Sequence, residues 1–405
     1  MTIGTLPDDI LLEMFYFYAY VAFNDAWRTL VHVCRRWRNV VFTSPRRLNL
    51  KLVCTRTRSV REMLDIWPEL PIIILDYEGT EIVESADNVI AALELNDRVS
   101  RIDLAVSGSR LERVVAVMQD PFPTLTDLSL WSSDGTAPVI SDSFLGGSAP
   151  RLRYLGLESI PFPALPKLLS SATDLVDLHL EHLPHSGYIS PSAMATCLAP
   201  LTKLESLVLE FQSPQSRPDN TSQLSPLQTR IIFPALTHLA FRGVTEYLED
   251  LVTQIDTPLL KDISITFFNQ LVFDISQLPQ FLRRTETFTI LDQARVSFYE
   301  QFINVELFQR TGANSTRLEL SISCRTLETQ LSSLVEVCNS ALSTLSTLER
   351  LSLRAYIYHG PALVPGQHRE HTMAGTFAPL YQCEGSSIIQ ESCTFCRTCP
   401  ARTHR

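Results

Sequence analysis

Glycine is scarce, at 14 of 405 residues, which is few for an active site built from flexible loops. No Gly-x-Gly-x-x-Gly, phosphate loop, His-Glu-x-x-His or Gly-x-Ser-x-Gly occurs in the chain. Dinucleotide binding, phosphate cradling, zinc-dependent proteolysis and nucleophile-elbow hydrolysis therefore lack their usual sequence basis. The histidines are dispersed, and acidic pairs such as Asp8-Asp9 and Glu249-Asp250 read as helix-end or solvated charges. The expectation is a protein that is not an enzyme, with no catalytic residues and no cofactor. Long hydrophobic runs are also missing. The longest, Phe15–Phe23, is far below the ~20 residues a membrane-spanning helix needs. The polar, acidic start MTIGTLPDD lacks the basic and apolar regions of a signal peptide. Membrane association is not expected, and a cytoplasmic or nuclear location is.

Basic charge is the scarcer sign overall, with 34 Lys and Arg against 44 Asp and Glu. Its placement is uneven. Ten basic and no acidic residues lie between Ala26 and Arg61, so the remainder holds 24 basic against 44 acidic residues. The arginines of that stretch alternate with Trp37, Phe42 and aliphatics needed for packing, and no nucleic-acid reader motif accompanies them. An acidic protein partner is expected there, not a polynucleotide. Of the nine cysteines, those at 34, 54, 197, 324 and 338 sit among apolar neighbours, as reduced intracellular thiols do. Cys393, Cys396 and Cys399 form a C-x-x-C-x-x-C cluster near Cys383, His368, His371 and His404. A dependable zinc motif has two separated ligand pairs. One tight cluster in a polar tail points to no metal site.

What is present begins at Leu6. Pro7 suits a first helical turn, and Asp8 and Asp9 favour the positive end of the helix dipole. Ile10, Leu11, Met14, Phe15 and Tyr18 then make an apolar stripe at helical spacing. A second stripe follows Asn24-Asp25 at Trp27, Leu30, Val31 and Cys34, extended by Val33, Trp37, Val40 and Val41. Ser44-Pro45 ends the helical region. Fewer than fifty residues cannot bury two wide apolar faces against themselves. The segment either docks on the rest of the chain or offers a surface to another protein.

From Asp65 the pattern changes to a repeat. Leu-x-x-Leu-x-Leu occurs in full at Leu125-Leu128-Leu130, Leu152-Leu155-Leu157, Leu175-Leu178-Leu180, Leu204-Leu207-Leu209 and Leu348-Leu351-Leu353. Leu236-Leu239-Phe241 and Leu260-Ile263-Ile265 are close copies. Weaker ones stand at Leu70-Ile73-Leu75, Ile102-Leu104, Phe288-Ile290 and Leu318-Leu320. Successive copies are 23 to 33 residues apart. The two residues at period two put their side chains on one face of a short strand. Helix-like stretches at Leu111–Met118, Ala164–Leu169, Ala193–Leu198, Tyr247–Ile255 and Leu327–Leu342 separate the strands. No unit of this kind buries its apolar face alone, so neighbours must stack. Gln212–Arg230, rich in Ser, Pro and Gln, reads as a surface insertion. Residues 359–405 read as a disordered tail.

Leu6-Pro7, Ile10-Leu11, Phe15, Trp27, Leu30, Val33-Cys34-Arg35-Arg36-Trp37-Arg38 and Ser44-Pro45-Arg46-Arg47-Leu48 closely resemble an F-box of the kind abundant in fungi. The connection from Phe15 to Trp27 is longer and more aromatic than is common. The repeats that follow resemble the leucine-rich repeats often found after an F-box, without the Asn or Cys that usually closes each turn. The resemblance implies an α/β fold. It comprises a small all-α F-box module at 1–60, then a leucine-rich-repeat α/β solenoid with a curved parallel sheet at 61–358. It implies a substrate-receptor subunit of a Skp–cullin–F-box ubiquitin ligase. Leu6, Pro7, Ile10, Leu11, Phe15, Leu30, Val33 and Trp37 would contact the Skp-type adaptor, and through it the cullin. The alternative is a repeat scaffold outside ubiquitin transfer, with the helices as an N-terminal cap. In such a stack the residues flanking the core leucines line the open sheet face. Asp127, Trp131, Tyr154, Glu158, Asp177, His179, Glu181 and Glu210 are the expected target-binding residues. On the six strands from Asp127 to Thr266 the flanking residues are acidic over basic by six to one, which suits a basic protein target.

Overall fold

The computed structural model describes residues 6–21, 26–44, 48, 51–55, 70–77, 87–214, 230–268, 275–309, 316–323, 331–335, 350–355 and 393–394. The 359–405 tail, apart from 393–394, lies outside the described residues, as does most of the 212–230 insertion. The protein is mixed α/β with mostly parallel strands. It divides into two compact units, Met1–Leu260 and Lys261–Arg405.

The first unit opens with three helices, α1 (Asp8–Val21), α2 (Ala26–Val33) and α3 (Arg35–Thr43). Cys34 caps α3, its Sγ accepting the Trp37 N–H at 3.5 Å. Leu11, Leu12 and Phe15 on α1, Leu30 and Val31 on α2 and Val40 and Val41 on α3 are all buried, and the three helices pack on one another. The Phe15 and Trp37 rings meet edge-on at 4.7 Å. Arg36 ties the start of α1 to α3 through Asp8 at 2.6 Å and the Leu6 carbonyl. Arg38 donates to the Val31 carbonyl at 3.0 Å.

Strands β1 (Leu52–Cys54), β2 (Ile72–Tyr77), β3 (Val99–Val106), β4 (Asp127–Ser132), β5 (Tyr154–Glu158), β6 (Asp177–Leu183) and β7 (Ser206–Phe211) follow. After a short β8 (Ile231–Ile232) comes β9 (His238–Gly243). All but β8 lie side by side in chain order, each parallel to the last. The leucine template explains the register. Leu128, Leu155, Leu178, Leu207 and Leu239 are successive Cα partners, and so are Leu130, Leu157, Leu180, Leu209 and Phe241. Every one is buried, as are the leading Leu125, Leu152, Leu175, Leu204 and Leu236. Backbone bonds join consecutive turns before the strands: Val176 N to Arg153 O, Glu205 N to Val176 O and Thr237 N to Glu205 O, at 2.8–2.9 Å.

Helices α4 (Asp87–Leu93), α5 (Gly108–Val117), α6 (Leu165–Leu169), α7 (Pro191–Leu198) and α8 (Thr245–Gln254) lie between strands. All but α4 occupy positions that the apolar spacing anticipated; of the expected Leu327–Leu342 stretch, only 331–335 lie among the described residues. Ser190 caps α7 by accepting the Ala193 N–H at 3.3 Å, with Pro191 in the first turn, as the missing proline N–H permits. The helices cover the leucine side of the strands, pairing α4 with α5, α6 with α7 and α7 with α8. β8 pairs in parallel with β10 (Ile255–Asp256) apart from the main sheet.

The turn after β4 is anchored by Asp134. Its Oδ1 accepts the Gly108 and Thr136 backbone N–H groups at 3.0 Å and the Thr136 hydroxyl at 2.8 Å. Gly108 must be glycine, because a Cβ would come within 2.1 Å of the Thr136 carbonyl oxygen. Hydrogen bonds from Thr136, then from Gly108, hold the Asp134 carboxyl down from the ordinary 3.8 to about 2. A depressed folded value means a contribution present above the unfolded value and lost as pH falls through the folded one. Thermal midpoints measured from pH 5 to pH 2 should therefore fall more steeply for the native chain than for Asp134→Asn. Parallel curves would deny Asp134 this role.

The second unit holds β11 (Asp262–Phe267), α9 (Leu278–Arg284), β12 (Gln293–Phe298), β13 (Phe302–Phe308), β14 (Arg317–Ser323), β15 (Arg350–Ala355) and β16 (Cys393–Thr394). Here two expectations are corrected. Phe288-Ile290 is not a strand but part of a 3-10 turn over Glu286–Ile290. The strand comes after it, as β12, and turns back through Tyr299 into β13 to form an antiparallel hairpin. The strand order β11, β14, β13, β12, β15, β16 departs from chain order, with parallel and antiparallel neighbours mixed. The regular strand-and-helix repeat therefore runs only through the first unit.

Candidate functional site

Two surfaces of the first unit carry chemistry that the core does not consume. One is on α1. Its apolar residues occupy two sides of the helix: Leu11 and Phe15 turn inward, and Ile10, Met14, Phe17 and Tyr18 turn outward. Phe17 is 70% exposed and Ile10 47%. Val33 at the end of α2 (54%) and Phe42 on α3 (40%) add further uncovered apolar surface. The expected adaptor contacts are thus split. Pro7, Ile10 and Val33 are exposed, and Leu6 and Trp37 half-buried. Leu11, Phe15 and Leu30 are a correction: each is at most 5% exposed. They hold the three helices together and offer no surface. Met14, Phe17 and Tyr18 were not anticipated as surface residues.

The other surface is the open sheet face, opposite the leucines. Residues between the core positions alternate outward in register, forming three rows across the strands. The first row runs Arg101, Asp127, Tyr154, Asp177, Ser206 and His238. In the second, Asp103, Ser129, Gly156, His179, Val208 and Ala240 follow one another. The third contains Trp131, Glu158 and Glu181 as partners on β4, β5 and β6, with Glu210 and Arg242 paired on β7 and β9. All eight expected target-binding residues fall on this one face. Asp262, Ser264 and Thr266 belong to β11 in the second unit.

Small residues in the middle row, Ser129 and Gly156, leave a depression of about 140 Å³ walled by Trp131, Tyr154, Asp103, Glu158 and Glu181. Gly156 makes room for Tyr154 there. A Cβ would come within 2.9 Å of the Tyr154 phenolic oxygen, so the glycine lets that ring lie over the strand. Tyr154 also meets the His179 ring edge-on at 5.3 Å. Burial, and then the charges of Glu181, Asp103 and Asp177, push the Tyr154 hydroxyl above its ordinary pKa, so it is a neutral hydrogen-bonding group. Glu210 is likewise raised, first by burial and next by Glu181.

His182 was not anticipated on this face. Strand alternation points it inward, but its backbone takes the left-handed conformation, φ 48°, and the β6–β7 register shifts there. Leu183 recovers the core position and His182 lies half-buried beside Glu158, Nδ1 to Oε1 3.2 Å. No sequence signal marks such a bulge at a non-glycine residue. Glu181, His182 and Glu210 are the described residues able to hold a metal, with ligand atoms within 4.8 Å of one another. Two carboxylates and an imidazole suit a divalent transition ion, yet nothing besides the cluster itself points to one. Arg101 and Asp103, which pair at 2.9 Å, were legible by the flanking rule from the weaker Ile102-Leu104 copy.

On the strands of the second unit, acidic and basic side chains pair. Arg295 donates to Glu306 at 2.8 Å, Arg317 bridges Glu306 and Glu319, and Asn304 donates to Glu319 at 2.9 Å. Those charges satisfy one another. No helix among the described residues is long and apolar enough to cross a membrane. No protein-family model matches the chain, and no curated protein matches it.

Proposed function

We propose that the chain is a substrate-receptor subunit of a Skp–cullin–F-box ubiquitin ligase. The three N-terminal helices would act as its F-box, and the leucine-patterned strands as a leucine-rich-repeat solenoid that holds a protein target on its acidic face. One observation carries this reading: α1 packs Leu11 and Phe15 into the helical core while leaving Ile10, Met14, Phe17 and Tyr18 uncovered. Solvent-exposed apolar side chains clustered on one helix face mark a protein contact. Each would contribute roughly 1.5–3 kcal/mol on full burial, before ordering costs. The adaptor surface in this reading is Pro7, Ile10, Met14, Phe17, Tyr18 and Val33, positioned by the buried trio Leu11, Phe15 and Leu30. The ligase's chemistry would belong to its other subunits, consistent with the missing catalytic motifs.

Affinity purification of the full chain and of a chain lacking residues 1–52, each read by mass spectrometry, tests the proposal. A Skp-type adaptor and a cullin should accompany the full chain alone. Equal recovery with both, or recovery with neither, would leave a repeat scaffold whose helices merely cap the sheet.

A further inference from the structure

We propose that the depression between Trp131 and Tyr154 receives one arginine side chain of the protein target. This rests on reading the sheet face as the target-binding surface, and it specifies what that surface recognises.

Charge excludes most other occupants. Three of the walls are carboxylates, from Asp103, Glu158 and Glu181. Asp103 is paired with Arg101, whereas Glu158 and Glu181 have imidazoles beside them, His182 3.2 Å from Glu158 and His179 3.8 Å from Glu181, and Glu210 adds a further carboxylate within 4.8 Å of Glu181. A phosphate, a nucleic-acid backbone or an acidic peptide would be repelled. A purely apolar group would desolvate the carboxylates without pairing them.

Geometry then separates arginine from lysine. Glu158 and Glu181 are direct register partners on adjacent parallel strands, so their Cα atoms stand roughly 5 Å apart and both carboxylates rise from one row. A guanidinium presents its N–H groups in a planar fork that can reach two acceptors at once, whereas an ammonium is a compact point charge. Trp131 lies in the same row, beside Glu158, and is 44% exposed. Its indole face offers the stacking and cation–π contact that a planar, weakly hydrated cation uses best. The cavity's volume suits one side-chain head and its last methylenes, with Ser129 and Gly156 as the floor. Tyr154 closes the far wall.

The probes are N-acetyl-arginine methylamide and its lysine and citrulline counterparts, titrated into the full-length chain. The readout is the indole N–H signal of Trp131, assigned with Trp131→Phe. Citrulline keeps the shape of arginine and removes the charge. The arginine probe should shift that signal saturably, binding at least ~10-fold more tightly than lysine, with no saturable shift from citrulline. Glu158→Gln with Glu181→Gln should weaken arginine binding about tenfold and leave the thermal midpoint unchanged. Equal binding of arginine and citrulline, equal binding of arginine and lysine, or indifference to the double substitution would each overturn the proposal.

Asp177→Lys, on the same face but outside the depression, separates the two levels of the argument. Suppose it abolishes association with the target in cells while arginine binding fails the tests above. The sheet face then keeps its role and the arginine site falls. Should Asp177→Lys leave the associated proteins unchanged, the target-surface reading falls, and the arginine site with it.

Discussion

Leu178→Ala should lower the free energy of unfolding by about 2–5 kcal/mol, the range for emptying a well-packed leucine site. Leu178 is fully buried near the start of β6, with Leu155 and Leu207 as its register partners on either side. Because its side chain lies between those of the two neighbouring strands, the vacancy weakens the contacts of both. The control is one residue away. Asp177 points to the open face, so Asp177→Ser should change stability by less than ~0.5 kcal/mol. Urea unfolding of both variants measures the difference. Comparable losses from the two would contradict the inward and outward assignment of β6, and with it the three-row description of the acidic face.

The second large effect concerns α1. Ile10→Asp together with Phe17→Asp should weaken adaptor binding by more than a hundredfold. Losing two buried side chains at roughly 1.5–3 kcal/mol each removes at least ~3 kcal/mol, and tenfold corresponds to about 1.4 kcal/mol. The thermal midpoint should hardly move, since both side chains already face water. Phe15→Ala provides the contrast. It is 2% exposed and packs on Trp37, so it should cost about 3–5 kcal/mol of helical-segment stability. A defect in binding that follows stability alone would show that the uncovered stripe is not the contact.

How far the sequence carried the fold follows from which physical signals are local. Period-two leucines specify a strand and its buried side together, and β4, β5, β6, β7 and β9 appear where Leu128, Leu155, Leu178, Leu207 and Leu239 place them. The acidic face follows, because what is not inward on a strand is outward. The helical spacing at Leu111–Met118 and Tyr247–Ile255 was equally legible, matching α5 and α8 to within a few residues.

Periodicity fails where both sides of an element are apolar. On α1, Leu11 and Phe15 are indistinguishable in kind from Ile10, Met14 and Phe17, and only tertiary packing decides which pair goes inside. It fails again at the β12–β13 hairpin. There Val296, Phe298, Ile303 and Val305 are buried on strands that lack the leucine template, and the turn between them carries no Asn-Gly or Gly pair. His182 is invisible for a third reason: a left-handed backbone at a histidine depends on strand pairing, which no local residue pattern encodes.

The central claim is that a second polypeptide covers the apolar stripe on α1. Its most direct test is light scattering coupled to size-exclusion chromatography, on the purified full-length chain mixed with a purified Skp-type adaptor. A one-to-one complex with the native chain, and separate peaks with the Ile10→Asp, Phe17→Asp chain, is the predicted result. Separate peaks with both, or a complex that survives the two aspartates, would contradict it.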